Sequence, residues 1–330
     1  MDLSIFFVGT AGSTPTARRG LPAILVRRGG DRILFDCGEG TQRQLISSGG
    51  LTELTEIFLT HFHADHWLGL PGLLKTYDLR GRERPLAIHG PPGLPALLRL
   101  VLKMGGRVGF ELEVIELAAG DVLARDGYRI APVGVAHRGK AFGYALFEDE
   151  RPGVFDPDAA VRLGLVPGPE FGRVQRGETI RGVGPEQVLG ETRPGRKLVL
   201  SGDTGPCGSL RIAAHEADVL VHEATFAEEE RARAAETGHS TAAQAATLAR
   251  EADVGLLALN HVSTRHPLRM VRDEARAVFP RTVIPRDFDT IEIPFAERGE
   301  PALVRWEDAR PAAESDLETE TAEVKAEAAL

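Results

Sequence analysis

Over the first third of the chain, apolar residues come in short runs separated by Gly, Asp and Ser. Residues 3–8, 23–27, 32–35 and 56–60 are rich in Ile, Leu, Val and Phe and have the length of strands. Apolar runs at 67–77 and 94–103 predict helices, and strands are predicted at 86–89, 111–117, 128–136 and 142–147. Residues 151–196 break the pattern, being dense in Gly, Pro and Arg, and predict an inserted arm. Alternation then resumes, with strands at 198–201, 219–222 and 255–259 and helices at 241–251 and 268–279. Two such halves around an insertion predict an α/β chain folded as an αββα sandwich, with two sheets face to face and helices outside. The expected divisions are one domain over 1–306, which includes the arm, and a tail at 307–330.

At 330 residues and 42% hydrophobic content, the chain can bury a full core. Its opening residues lack a basic leader followed by an adequate apolar stretch, and no run approaches the roughly 18 apolar residues of a membrane span. A cytoplasmic protein without a membrane partner is therefore expected. Two cysteines, Cys37 and Cys207, are too few for a disulfide framework and are expected as reduced thiols near the core. The formal net charge of −9 looks wrong for a nucleic-acid enzyme. Between 311 and 330, however, six acids stand against one base, so five of those charges belong to a segment whose composition predicts disorder. The remaining body neither supports nor excludes an RNA partner, because metal ions supply positive charge locally where side chains do not.

The phrase His61-Phe62-His63-Ala64-Asp65-His66 follows a predicted strand directly, so one loop presents four metal-binding side chains within six residues. Imidazole suits zinc, and a neighbouring carboxylate can bind a metal or accept a proton. One such cluster cannot close two metal sites, since catalytic zinc needs about three protein ligands per ion. Three further candidates stand at predicted strand ends: His137, Asp203 and His261. Taken singly, a His there is as often a hydrogen-bonded structural residue as a ligand. Their joint occurrence after the His cluster favours ligands.

The order H-x-H-x-D-H, then His, then Asp in Ser201-Gly202-Asp203-Thr204, then His resembles the metallo-β-lactamase superfamily. That resemblance implies its fold, with His61, His63 and His137 on one zinc, Asp65, His66 and His261 on the other, and Asp203 bridging. It also implies two zinc ions per subunit, with manganese or another divalent ion as the alternative, and water activated between them as nucleophile.

Within that superfamily, His222-Glu223-Ala224-Thr225 followed by Gly238-His239-Ser240-Thr241 narrows the reading. Cutting a phosphodiester needs a proton donor for the departing sugar oxygen, and a His held by a carboxylate provides one. On local sequence alone, His239 is equally a residue beside a helix cap. Together with Gly9-Thr10-Ala11-Gly12-Ser13-Thr14-Pro15, Phe35-Asp36-Cys37-Gly38-Glu39-Gly40-Thr41-Gln42, Gly202-Asp203-Thr204-Gly205-Pro206-Cys207 and Asn260-His261-Val262-Ser263-Thr264-Arg265, these phrases are similar to the ribonuclease Z family over about residues 1–290. The resemblance implies a homodimeric endoribonuclease acting on precursor tRNA, which leaves a tRNA 3′-hydroxyl and a 5′-phosphorylated trailer. It implies Asp65 as the group that orients or deprotonates the attacking water, and His239, supported by Glu223, as acid. Ser263 and Arg265 would meet a phosphate. The arm, with Gly168-Pro169 and the bases Arg173 and Arg176, would grip the tRNA body, although five bases against four acids over 151–182 make it only mildly basic. A stiff surface loop is the plain alternative for the arm. Two rival functions remain: a small-molecule phosphodiesterase or esterase that needs no arm, and a catalytically silent RNA-binding module, which should have lost ligands. Residues beyond 290 carry no functional signal.

Overall fold

Alternate residues of the strand Leu3–Gly9 serve two different layers, as the twofold period of an extended chain requires. Leu3, Ile5 and Phe7 face a core shared with Phe58, Tyr144, Leu198 and Leu200, while Phe6 and Val8 face a second core under helices. This computed structural model describes residues 2–309. Among them, one sheet has eight strands in the order Ala302–Val304, Thr290–Glu292, Leu3–Gly9, Ala23–Arg28, Asp31–Phe35, Glu56–Phe58, Leu86–Gly90 and Leu112–Glu116. A second has seven, in the order Thr282–Val283, Leu256–Asn260, Val219–Glu223, Lys197–Leu200, Phe142–Glu148, Tyr128–Gly134 and Leu123–Arg125. The first core fills the space between them. Helices Leu70–Leu79 and Leu94–Gly105 cover the first sheet, and Gly208–Ala214, Ala242–Glu251 and Leu268–Val278 cover the second. The αββα sandwich expected from the sequence is thus the observed architecture.

Each sheet mixes antiparallel and parallel neighbours, and the parallel sets decide where the chemistry lies. Asp31–Phe35, Glu56–Phe58 and Leu86–Gly90 run parallel in one sheet; Lys197–Leu200, Val219–Glu223 and Leu256–Asn260 run parallel in the other. Residues that follow parallel strands emerge at one edge, where ordered loops gather polar groups. Asp36, Thr60-His61, Asp203 and His261 all follow such strands.

The run 67–77 does not form one helix. Its start belongs to a short helix, Ala64–Trp67, and a second begins at Leu70 beyond Gly69. The reason is a close approach: a Cβ on Gly69 would lie 2.1 Å from the Gly38 carbonyl oxygen, so the chain bends there against the loop after Asp36.

Between Phe142–Glu148 and Lys197–Leu200 the chain leaves the sandwich. Residues 151 and 193 form an antiparallel bridge, as do 155 and 189, so the excursion departs on a narrow two-stranded ribbon. It carries helices Pro157–Arg162 and Pro169–Gln175 and an apolar core of its own, built from Ala160, Leu165, Val174, Ile180, Val183 and Val188. The chain beyond 290 adds two strands to the first sheet, and Trp306 packs against Phe6 and Phe288. A short helix, Trp306–Ala309, spans the expected start of the tail at 307, and most of that tail lies outside the described residues. Cys37 is buried and Cys207 half-buried, both as free thiols. No helix among the described residues is long and apolar enough to cross a membrane.

Candidate metal centre and acid pair

The loop after Glu56–Phe58 turns into the helix Ala64–Trp67 with His63 at its N-cap. One turn of helix thereby presents Asp65 and His66 beside His61 and His63. The second sheet delivers His137, Asp203 and His261 to the same edge. Ligand atoms of His61, His63, His137 and Asp203 all lie within 4.8 Å of one another, and so do those of Asp65, His66 and His261. Asp203 Oδ2 stands between the two groups, 3.7 Å from His61 Nε2, 3.3 Å from His66 Nε2 and 3.4 Å from His261 Nε2.

Four of the five rings are oriented from behind. His61 Nδ1 meets the Thr60 hydroxyl at 3.0 Å, His66 Nδ1 meets Asp36 Oδ2 at 2.7 Å, His137 Nδ1 meets the Gly238 carbonyl at 2.7 Å, and His261 Nδ1 meets the Thr225 hydroxyl at 2.8 Å. All four rings are left with Nε2 towards the common centre, the arrangement by which outer partners fix the tautomer of metal-ligating histidines. His61 Nε2 and His66 Nε2 are buried without a hydrogen bond, a costly state for an imidazole nitrogen unless a cation receives it. Two carboxylates and five imidazoles within this space match the donor preferences of zinc and similar divalent ions.

The electrostatics agree with that donor set. Burial, together with the neighbouring imidazoles, pushes His61 down to about 2, so its ring is neutral and free to ligate. Burial also works against a charge on His66, but Asp203 and Asp36 outweigh it and raise its proton affinity well above normal. Asp65, against its own burial, is held well below the usual carboxylate range by His261 and His66. Around His66, then, carboxylate charge favours a positive group, while the His61 ring stays neutral.

The backbone around it is tightly determined. His261 adopts φ 54°, unusual for a residue with a side chain, and the strand it leads into pairs with Ala11–Gly12. A Cβ on Gly12 would sit 2.5 Å from the His261 carbonyl oxygen, so only glycine fits there. The next residue donates its amide to the centre, Ser13 N to Asp65 Oδ2 at 3.0 Å. Asp36, Thr60, Thr225, Gly12 and Ser13 have no separate place among the expected site residues; Asp36, Thr225, Gly12 and Ser13 do lie within the phrases that carried the family resemblance.

Beside the centre, His239 Nδ1 lies 2.8 Å from Glu223 Oε1. The Glu223 carboxylate is buried and accepts three further hydrogen bonds, from Thr204 N at 3.0 Å, Thr225 N at 2.9 Å and Thr225 Oγ1 at 2.8 Å. Burial alone would lower the His239 proton affinity, but the Glu223 hydrogen bond and charge carry it up to about 8. Thr241 caps the helix Ala242–Glu251, so His239 does stand beside a helix cap, and its ring is at the same time turned to Glu223.

Ser263 Oγ accepts from Arg265 N at 3.4 Å, and Arg265 is ion-paired to Glu230 over the Phe226 ring. Gly168, Pro169, Arg173 and Arg176 belong to the excursion and are not among the clustered donors. Arg173 is paired with Glu178 at 2.7 Å and Arg181 with Glu170 at 2.8 Å. Among the described residues Arg176 makes no ion pair.

A model of the metallo-β-lactamase superfamily matches residues 19–256. The chain is 47% identical over 307 residues to ribonuclease Z of Gemmatimonas aurantiaca, covering 90% of this chain and 98% of that one. It is 46% identical to ribonuclease Z of Myxococcus xanthus, over 89% of this chain and 99% of that one. The chain belongs to the ribonuclease Z family. Membership spans the sandwich, the excursion and both halves of the donor cluster, since the matched length is nine-tenths of the chain. The crystal structure of the short form of human tRNase Z superimposes with a TM-score of 0.64 at 28% identity, covering 88% of this chain and 99% of that one. The metallo-β-lactamase fold protein YhfI from Bacillus subtilis, at 18% identity and a TM-score of 0.66, covers 88% of this chain and 99% of that one and shares the fold.

Proposed function

We propose that this chain is a metal-dependent endoribonuclease that removes the 3′ trailer of precursor tRNA, leaving a tRNA 3′-hydroxyl and a 5′-phosphorylated trailer. The observation that carries the reading is the Glu223–His239 pair at 2.8 Å beside a donor cluster centred on Asp203. His61, His63 and His137 would hold one ion, Asp65, His66 and His261 the other, with Asp203 shared; zinc is the ion of choice for these donors, manganese the alternative. Bound divalent ions supply Lewis acidity, which acidifies water and offsets phosphate charge.

The side chains do the rest. Asp65, anchored by the Ser13 amide and His261, orients the attacking water or takes up its proton. His239 spends Nδ1 on Glu223, so Nε2 is its donor to the departing 3′ oxygen, and Glu223 stabilises the charged ring until transfer. Ser263 and Arg265 contribute hydroxyl and guanidinium donors to a phosphate, with Arg265 exchanging Glu230 for it. The excursion at 151–196 reads the tRNA body by shape and backbone, with Gly168-Pro169, Arg173 and above all the unpaired Arg176 as contacts. The same reading places the enzyme in the cytoplasm as a homodimer.

Purified protein incubated with a precursor tRNA carrying a 3′ trailer should cut it at the discriminator base and lose that activity to chelator. Absence of a chelator-sensitive cut overturns the proposal. The small-molecule phosphodiesterase reading makes the opposite forecast, turnover of simple diesters with the precursor left intact.

A further inference from the structure

The excursion and the sandwich keep separate apolar cores, so their relative orientation is set where they join. That junction is a two-stranded ribbon, held by the mutual backbone bonds of Arg151 and Arg193 at 2.8 Å and by Gly190 N to Val154 O at 3.0 Å. A ribbon of two strands is a weak hinge by itself. Here the loop between the first sheet's two outermost strands closes over it. Glu297 accepts from Arg151 through both oxygens, at 2.7 and 3.1 Å, and from Arg193 at 3.0 Å, so one carboxylate ties both strands. The Phe295 ring lies between two guanidinium groups, 3.5 Å from that of Arg151 and 4.0 Å from that of Arg196.

Arg196 is anchored in the body of the protein. Its guanidinium donates to Glu148 at 2.6 and 2.8 Å and to the Ile293 carbonyl at 2.7 Å, and Glu148 also accepts from Arg28 at 2.8 Å. A rigid, buried network therefore continues through Phe295 and Arg151 to the root of the excursion. Planar arginines stacked on an aromatic face and gripped bidentately by carboxylates resist rotation more than a lone surface pair does.

We infer that Phe295 and Glu297 form a clasp that sets the angle at which the 151–193 excursion leaves the catalytic body, and that they are positioning residues for precursor tRNA. The inference rests on the reading of that excursion as the tRNA-gripping element. A small tilt at the root moves the far end of the excursion the most, and misplacing a substrate contact remote from the chemistry costs rate without altering the chemistry. Because the pairs at the root are exposed, they add little to global stability, and their loss should be visible in substrate handling alone.

The experiment compares Glu297→Ala, Phe295→Ala and a chain whose residues 155–189 are replaced by a short Gly-Ser turn, on precursor tRNA and on bis(p-nitrophenyl) phosphate. The expected result for both point variants is a rise in precursor KM of roughly tenfold to a hundredfold with diester turnover at the wild-type value, and for Glu297→Ala a melting temperature at the wild-type value. Glu297→Asp should recover part of the precursor KM. If excising 155–189 abolishes precursor cleavage while both point variants keep the wild-type KM, the clasp is wrong. If the point variants lose diester turnover and thermal stability along with precursor cleavage, the residues are merely structural and the inference is overturned. Should excision leave precursor cleavage intact, it is the tRNA-gripping reading of the excursion that fails, and the clasp falls with it.

Discussion

Asp36 Oδ2 lies 2.7 Å from His66 Nδ1, on the face of the ring away from the donor cluster, while its other oxygen accepts the Thr60 amide at 2.8 Å. One carboxylate thus orients the ring of a candidate ligand and the loop that carries His61. Asp36→Asn keeps the shape, and Asn tolerates the left-handed backbone that Asp36 adopts at φ 59°. Outer partners of this kind are worth roughly tenfold to a hundredfold in metal affinity. Zinc competition against a fluorescent chelator should show a loss of that size; wild-type affinity would mean that Asp36 serves the fold alone.

His239→Ala and Glu223→Gln should lower precursor turnover by roughly 10²- to 10⁴-fold, the usual contribution of a positioned acid, while metal content stays at the wild-type ratio. Single-turnover cleavage with metal analysis on the same samples decides this. A zinc-depleted His239→Ala protein would move His239 from the acid role to the ligand set.

Glu148 stands between two buried guanidinium groups, those of Arg28 and Arg196. Removing one partner from such a network leaves uncompensated buried charge, at a cost of about 3–5 kcal/mol. Glu148→Ala should melt several degrees lower than the wild type in thermal denaturation. An unchanged transition would show that water enters and solvates both arginines.

Glu56 links the two sheets, since its carboxylate meets His89 at 2.7 Å and Arg125 at 2.8 Å. Burial alone would raise its proton affinity, but Arg125 and His89 reverse that and hold it down to about 2. A carboxyl depressed in the folded state stabilises fully above its unfolded value, near 4.5, and that contribution disappears as pH falls towards 2. The stability gap between wild type and Glu56→Gln, measured by denaturant titration, should therefore be constant from pH 7 to 5 and narrow below. A gap that widens in acid would contradict the assignment.

The sandwich was readable because period-two runs such as Leu3–Gly9 face two different cores and so must be extended and covered on both sides. Ligand candidates were readable because His and Asp at strand ends have few other uses in that pattern, and the structure brings all of them together. The break at Gly69 was not, since it depends on a carbonyl thirty residues away in sequence. Nor were the two outer strands beyond 290. Those three-residue strands have too few positions to show a period, and they are held by pairing and by Trp306 against Phe6. The supporting roles of Asp36 and Thr225 lay inside recognised phrases, but only coordinates reveal which ring each one touches.

Because the excursion at 151–193 owns an apolar core, its sequence is free to drift without disturbing the packing beneath the donor cluster. If this element is the tRNA contact proposed for it, substrate preference and bond cleavage change on separate evolutionary schedules. A graft of this element between relatives, cut at the Arg151 and Arg193 bridge, is the natural unit of exchange for moving specificity from one chain to another.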